Sequence, residues 1–127
     1  MNSKTRRQNM GGESFRQLVV WRRAIDLTFA IYAATKAFPR DEIFGLTSQL
    51  RRAAVSIPSN IAEGHSRATK GEFRQFLGIA NGSLAELQTQ LTIARGLKLA
   101  SEESLNKCEV PSAEVSKMLN ALSLSSR

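Results

Sequence analysis

The residue types that most often carry out catalysis or bind metal ions are scarce in this sequence. Among 127 residues, His65 is the only histidine and Cys108 the only cysteine. No Asp or Cys lies near His65, so neither a Ser-His-Asp nor a Cys-His arrangement is indicated. The sequence contains no His-x-x-Glu or Cys-x-x-Cys spacing, and no glycine precedes a Lys-Ser or Lys-Thr pair of the kind that binds nucleotide phosphates. We therefore expect no enzyme activity, no catalytic residue, no metal and no cofactor.

Two polar residues near the middle of the chain could be mistaken for active-site groups. Glu63 lies at the expected end of a helix, where a carboxylate more simply pairs with Arg67 or with a neighbouring subunit. Asn60 follows Pro58, and we expect its side chain to satisfy backbone groups that the proline leaves free, or to bond between helices. Both residues are therefore predicted to be structural.

Basic residues are the remaining candidates for a function. Lys and Arg number 18 against 11 Asp and Glu, which gives a net charge of +7. Such an excess attracts phosphate backbones and anionic lipid surfaces, although a solvated helix face is also rich in charge. We predict nucleic-acid contacts at Arg22, Arg23, Arg51, Arg52, Arg67, Lys70 and Arg74. No aromatic residues suited to base stacking are interleaved with these stretches, so binding is expected to follow the phosphate backbone with weak sequence preference.

The cysteine and hydropathy patterns indicate a compartment. A single cysteine cannot form an internal disulfide, which favours a reducing environment. The longest uninterrupted apolar run, residues 29–34, is far shorter than a transmembrane helix requires. The basic N-terminus is not followed by an apolar signal-peptide core. We therefore expect a cytoplasmic protein that makes no membrane contact.

Apolar residues recur every three or four positions through most of the sequence, which predicts α-helices. Four helices are expected at about residues 18–38, 42–64, 69–97 and 101–123, after a flexible basic arm at residues 1–16. The connections are short, and no stretch of any length alternates like a β-strand. The predicted fold is therefore all-α, an up-down-up-down four-helix bundle over residues 17–124.

Local signals add detail to these helices. The first is apolar on two stripes, so one packing partner would not cover it. The second contains Pro58, which should kink it, and has Gly64 at its expected end. The third begins with the capping box Thr-Lys-Gly-Glu, and its Gly78 and Gly82 indicate close approach of another helix, within the chain or from another subunit. Pro111 interrupts the apolar pattern of the fourth.

Three motifs are specific enough to indicate a family. Residues 49–54 read Gln-Leu-Arg-Arg-Ala-Ala, residues 56–64 read Ser-Ile-Pro-Ser-Asn-Ile-Ala-Glu-Gly, and residues 82–84 read Gly-Ser-Leu. Around these motifs, residues 21–99 resemble the bacterial four-helix-bundle proteins called 23S rRNA intervening-sequence proteins. The chain is also similar to the accessory proteins of diversity-generating retroelements. The resemblance implies a homopentameric barrel of bundles with a basic, nucleic-acid-binding surface.

Two functional hypotheses remain open. The first is a non-enzymatic, homo-oligomeric, pentameric bundle that binds structured RNA or DNA through its basic surface. The second is an accessory protein whose main partner is another protein, such as a reverse transcriptase. Replacing Arg51 and Arg52 with Glu separates them, since nucleic-acid binding is lost under the first and co-purification of the partner persists under the second.

Overall fold

The computed structural model describes residues 14–126 of the chain. Within that range it contains four α-helices and two short 3-10 turns, and no β-strand. The helices are α1 (Val19–Thr35), α2 (Leu46–His65), α3 (Lys70–Gly96) and α4 (Glu102–Ser125), and the turns are Phe15–Gln17 and Arg40–Glu42. The predicted all-α class is confirmed. Most of the predicted basic arm lies outside the described residues.

The segment immediately before α1 is folded against that helix. The Ser14 hydroxyl accepts a hydrogen bond from the backbone N–H of Arg16 at 3.2 Å and caps the first 3-10 turn. The Phe15 ring meets the Trp21 ring edge to face, with 5.2 Å between the ring centroids. The last residues of the predicted arm, 14–16, therefore belong to a 3-10 turn and its cap, which pack against α1.

Side-chain caps set the starts of three helices. The hydroxyls of Thr69 and Ser101 each accept the N–H of the residue three positions later, at 3.1 Å, and begin α3 and α4. The carboxylate of Glu42 accepts the N–H of Leu46 at 3.2 Å. The second helix was expected to begin at residue 42, but the 3-10 turn that ends at Glu42 delays its start to Leu46.

All four helices contribute to one continuous apolar core. The backbones of α1 and α2, α1 and α4, α2 and α3, and α3 and α4 approach each other closely, whereas those of α1 and α3 and of α2 and α4 do not in the described part of the chain. The buried stripe of α1 consists of Val20, Ala24, Leu27, Ile31 and Ala34. On the other side of the helix Phe29 is 68% exposed and Tyr32 is 39% exposed. Helix α1 therefore presents apolar side chains outward as well as inward.

Pro58 lies inside α2 and is buried. Proline has no N–H, so the carbonyl of Ala54 loses its helical donor. The Thr28 hydroxyl of α1 lies 3.2 Å from that carbonyl oxygen, and 2.8 Å from a carbonyl of its own helix. Asn60, expected to compensate for the proline or to bond between helices, instead donates within α2 to the carbonyl and hydroxyl of Ser56, at 2.8 and 3.0 Å.

The glycines play different roles from those expected. A Cβ atom at Gly64 would lie 2.7 Å from Cβ of Phe76 and 3.0 Å from Cδ1 of Phe73, so α2 and α3 approach closely there. Helix α2 continues through Gly64 to His65, so the prediction that this glycine ends the helix is wrong. A Cβ atom at Gly78 or Gly82 would meet nothing within 4 Å among residues 14–126, so the expected close approach within this part of the chain is wrong, and approach from another subunit stays a prediction.

Helix α3 ends in a Schellman motif. The N–H of Leu99 donates to the carbonyl of Ala94 at 3.0 Å, and the N–H of Lys98 donates to the carbonyl of Arg95 at 3.1 Å. This pattern places Lys98 at a φ of 56°, in the left-handed region that glycine usually occupies. A lysine therefore holds a strained backbone position at this helix end.

Candidate nucleic-acid interface

Two contacts hold Arg51 of α2 against α1. Its Nε–H donates to Oγ1 of Thr35 at 2.9 Å, and its guanidinium carbon lies 4.7 Å from the centroid of the Tyr32 ring. Thr35 is buried, and its hydroxyl donates at 2.7 Å to a carbonyl of its own helix, which fixes the acceptor in place. The Nε edge and one face of the guanidinium are thus occupied, while its terminal amino groups remain available to a ligand.

Arg51 lines an open cleft of about 560 Å³ between α1 and α2, which we call the Arg51 cleft. Its lining residues are Tyr32, Ile43, Thr47, Ser48, Arg51, Arg52, Val55 and Ser56. Arg52 is exposed, and none of the ion pairs within residues 14–126 involves either arginine. Because no acidic residue is part of this lining, an anion that enters the cleft meets two cations without a competing carboxylate.

Aromatic side chains accompany the arginines at two places. Tyr32 lies under Arg51, and the Phe76 ring centroid lies 5.0 Å from the guanidinium carbon of Arg67. Beside the Arg51 cleft, Phe44 is 94% exposed. The fold thus supplies Arg51 with an aromatic neighbour that sequence spacing does not reveal, because Tyr32 comes from a different helix and is distant from Arg51 in the sequence.

Arg22 and Arg23 lie near the start of α1 and line a separate groove with Trp21. Arg23 forms exposed ion pairs with Asp26 and with Glu114 of α4, each with 3.6 Å between the charged atoms. Arg22 is exposed, and the ion pairs of the described chain do not include it. Of the two, Arg22 is therefore the more available to an anionic ligand.

Arg67, Lys70 and Arg74 surround the turn between α2 and α3. Nη2 of Arg67 lies 3.1 Å from Oε1 of Glu63, which confirms the predicted pairing. Lys70 and Arg74 are exposed about one turn apart on α3, and neither forms an ion pair with any residue in the range 14–126. Lys70 and Arg74 are therefore the available cations at this end of the molecule.

The seven predicted residues fall into three groups along the helices. At a rise of 1.5 Å per residue, the Arg51 cleft and Arg67 are separated by about 20 Å along α2. By the same measure, Arg22 and Arg23 lie about 15 Å from Tyr32 along α1. Arg51 and Arg52 share one cleft, whereas Arg22 and Arg23 share a separate groove, so a ligand that contacts all three groups must be large.

A comparison with models of protein families assigns this chain to a family. The model of the 23S rRNA-intervening sequence protein family matches residues 16–121, a range that includes the Arg51 cleft and nearly all of the four helices. The chain belongs to this family. No curated protein matches it significantly.

Tyr32 and Thr35 position the guanidinium of Arg51 in this 23S rRNA-intervening sequence family member. Neither residue was among the candidates predicted from the sequence. Tyr32 and Thr35 belong to one of the two apolar stripes of α1, where periodicity alone predicts packing. Their spacing of three places them on the same face of a helix, and both carry a group that an arginine can contact. A tyrosine and a threonine spaced three residues apart on one helix face are therefore the signal that could have indicated a binding site for Arg51.

The one cysteine is unsuited to nucleophilic chemistry in this family member. Cys108 is buried, and burial together with the charge of Glu109 raises its pKa to about 11. The thiol therefore stays protonated at neutral pH.

Within residues 14–126, no group of three or more His, Cys, Asp or Glu side chains could hold a metal ion. No helix in the described range is long and apolar enough to cross a bilayer.

Proposed function

We propose that this family member is a non-enzymatic, homo-oligomeric protein, folded as an up-down-up-down four-helix bundle, that binds structured RNA or DNA through phosphate contacts. The observation that carries the proposal is the Arg51 cleft, in which a fixed arginine stands beside Arg52 without a carboxylate. The family description refers to 23S rRNA, which favours structured RNA as the first ligand to test.

A phosphate group can enter the Arg51 cleft without displacing an existing ion pair. The terminal amino groups of Arg51 can donate two parallel hydrogen bonds to phosphate oxygens, and Arg52 adds a second cation. Because Thr35 and Tyr32 already hold the guanidinium, less side-chain entropy is lost when the ligand binds. Lys70 and Arg74 would extend the contact to a second segment of a folded RNA.

Self-association would multiply these contacts. Phe29 on the outer side of α1 is 68% exposed, and Phe44 on the following loop is 94% exposed. Exposed aromatic residues of this size are typical of contact surfaces. We expect the outer side of α1 to pack against a second copy, and a pentameric ring would then present five Arg51 clefts to one nucleic acid and gain avidity.

The same exposed aromatic residues favour a second candidate function, an accessory role in which the main partner is another protein such as a reverse transcriptase. Light scattering on a size-exclusion peak separates the two candidates. A mass several times that of one chain supports self-association. The mass of a single chain contradicts self-association and leaves the outer side of α1 to a different protein.

Fluorescence anisotropy with a labelled RNA hairpin tests the Arg51 cleft directly. Arg51→Gln should weaken binding about ten-fold and reduce the dependence of log affinity on log salt by about one unit. Lys107→Gln is a matched control, because it removes one positive charge from α4, where the ammonium lies 3.5 Å from Glu103 and does not line the cleft. Equal losses of affinity in the two variants would exclude the Arg51 cleft as the binding site.

A further inference from the structure

A second cleft lies on the other side of α2, against α3, and its chemistry differs from that of the Arg51 cleft. It has a volume of about 300 Å³ and is lined by Gln49, Arg52, Ala53, Ser56, Ser83, Glu86 and Gln90. All of these residues except Ala53 are polar. We call it the Gln90 cleft. Because helices normally pack through apolar stripes, this concentration of polar groups between two helices points to a role other than packing.

The side chain of Gln90 leaves a buried acceptor unsatisfied. Gln90 is only 8% exposed, and its Nε2 donates to Oε1 of Gln49 at 3.3 Å. Its own Oε1 is buried and has no hydrogen-bond partner within residues 14–126. A buried carbonyl oxygen without a donor is destabilising, so a ligand that donates a hydrogen bond to it gains affinity.

Two opposite charges line the same cleft without neutralising each other. Arg52 and Glu86 are both exposed, and neither takes part in the ion pairs of the described chain. The Ser56 and Ser83 hydroxyls lie 2.8 Å apart between α2 and α3. The cleft therefore offers one ligand a planar cationic donor, an anionic acceptor and the buried amide oxygen of Gln90.

We propose that the Gln90 cleft binds an unpaired guanine base, an inference that rests on the proposed binding of nucleic acid. Guanine presents the acceptors O6 and N7 along one edge, where an arginine such as Arg52 can pair with both. Along its other edge it presents N1–H and N2–H₂, which Glu86 and the Gln90 oxygen can accept. Adenine, cytosine and uracil each present a single donor group, so guanine satisfies this set of acceptors best.

The position of Arg52 connects the two clefts. Arg52 and Ser56 line both the Arg51 cleft and the Gln90 cleft, which lie on either side of the same exposed ridge of α2. A strand whose phosphate lies against Arg51 can therefore place a neighbouring unpaired base against Gln90. Such recognition would add a preference for one base to the contacts with the phosphate backbone. From the sequence alone, only a weak sequence preference was predicted.

Two RNA hairpins with identical stems test this inference. Their loops differ at one position, which is guanine in one hairpin and adenine in the other. Anisotropy titrations of the full chain should show about ten-fold tighter binding of the guanine hairpin. Glu86→Gln and Gln90→Leu should each bring this ratio close to one, with the salt dependence unchanged. Glu103→Gln, which removes the same charge from α4, should preserve the ratio.

The outcomes distinguish the guanine proposal from the proposed function. Equal binding of both hairpins by the unmodified chain, or a ratio that persists in both cleft variants, overturns the guanine site and leaves phosphate binding intact. Absence of binding to either hairpin overturns both the guanine site and the proposed function.

A competition experiment with guanosine monophosphate distinguishes a strand from a free nucleotide. Displacement only at large excess supports a base presented by a strand, whereas displacement at concentrations equal to the hairpin identifies a free nucleotide and overturns strand recognition.

Discussion

The two ends of the α2–α3 interface differ in packing and in chemistry. Near the end of α2, Gly64 allows Phe73 and Phe76 of α3 to approach so closely that a single added carbon would overlap them. Near the beginning of α2, Gln49 meets Gln90 across a polar cleft and leaves one buried oxygen unsatisfied. One pair of helices thus combines a tight apolar contact with an open polar one. This separation allows stability and ligand binding to be changed independently.

The largest effect is expected at the tight end. Gly64→Ala places a carbon 2.7 Å from Cβ of Phe76 and should reduce the free energy of unfolding by about 2–3 kcal/mol, because the two helices must move apart. Urea unfolding followed by circular dichroism measures the change. Gly82→Ala is the matched control, since a Cβ there meets nothing within 4 Å, and it should raise stability by about 0.5–1 kcal/mol. A similar response of both glycines would show that the close approach of α2 and α3 at Gly64 does not limit stability.

A smaller loss is expected where α1 supports α2 at its proline. Thr28→Val removes the hydroxyl that lies 3.2 Å from the carbonyl of Ala54 and should reduce the free energy of unfolding by about 1–2 kcal/mol. The control is Thr89→Val, whose hydroxyl donates at 2.8 Å to a carbonyl of its own exposed helix face. If thermal unfolding shows the same small loss for both variants, the carbonyl freed by Pro58 does not depend on Thr28.

A gain is expected just beyond the polar end, where α3 terminates. Lys98→Gly removes the strain of a side chain at a φ of 56° and should stabilise the fold by about 1 kcal/mol. Lys98→Ala removes the same charge but keeps a Cβ, so its unfolding midpoint should stay near that of the unmodified chain. If the two variants have equal unfolding midpoints, any gain in stability arises from the loss of charge and not from the backbone conformation.

The smallest effect is expected within the polar end. Ser83→Ala removes the hydroxyl that lies 2.8 Å from that of Ser56 and should lower the free energy of unfolding by about 0.5 kcal/mol, because both groups remain partly accessible to water. The same denaturant titration measures it. A loss as large as that of Gly64→Ala would place the polar end among the main determinants of stability.

The number of helices and the fold class follow from the sequence because apolar periodicity is a local property. The glycines show where local reasoning stops. Gly64 was expected to end a helix, whereas it accommodates the aromatic residues of α3. Gly82 was expected to lie against a helix of this chain or of another subunit, and no helix of the described chain lies against it. Tertiary packing decides which helix faces a given glycine. The spacing of residues in the sequence does not predict that packing.

The candidate site shows the same limit. Charge alone made Arg51 and Arg52 candidates, because a cation can be recognised without knowing its neighbours. Thr35 and Tyr32 were missed, since their role arises only where α1 packs against α2. The Gln90 oxygen was missed for a related reason, because a glutamine inside a helix carries no signal until its burial is known.

Thr28 and Pro58 have a consequence for the evolution of this chain. The hydroxyl of Thr28 lies within hydrogen-bond distance of two carbonyl oxygens, and one of them, that of Ala54, lacks a helical donor because Pro58 has no N–H. In a lineage that replaces the proline first, the helix regains its own donor and the threonine becomes dispensable. In a lineage that loses the threonine first, a buried carbonyl is left without a partner. Substitutions at the two positions should therefore accumulate in a preferred order, with the proline changing before the threonine.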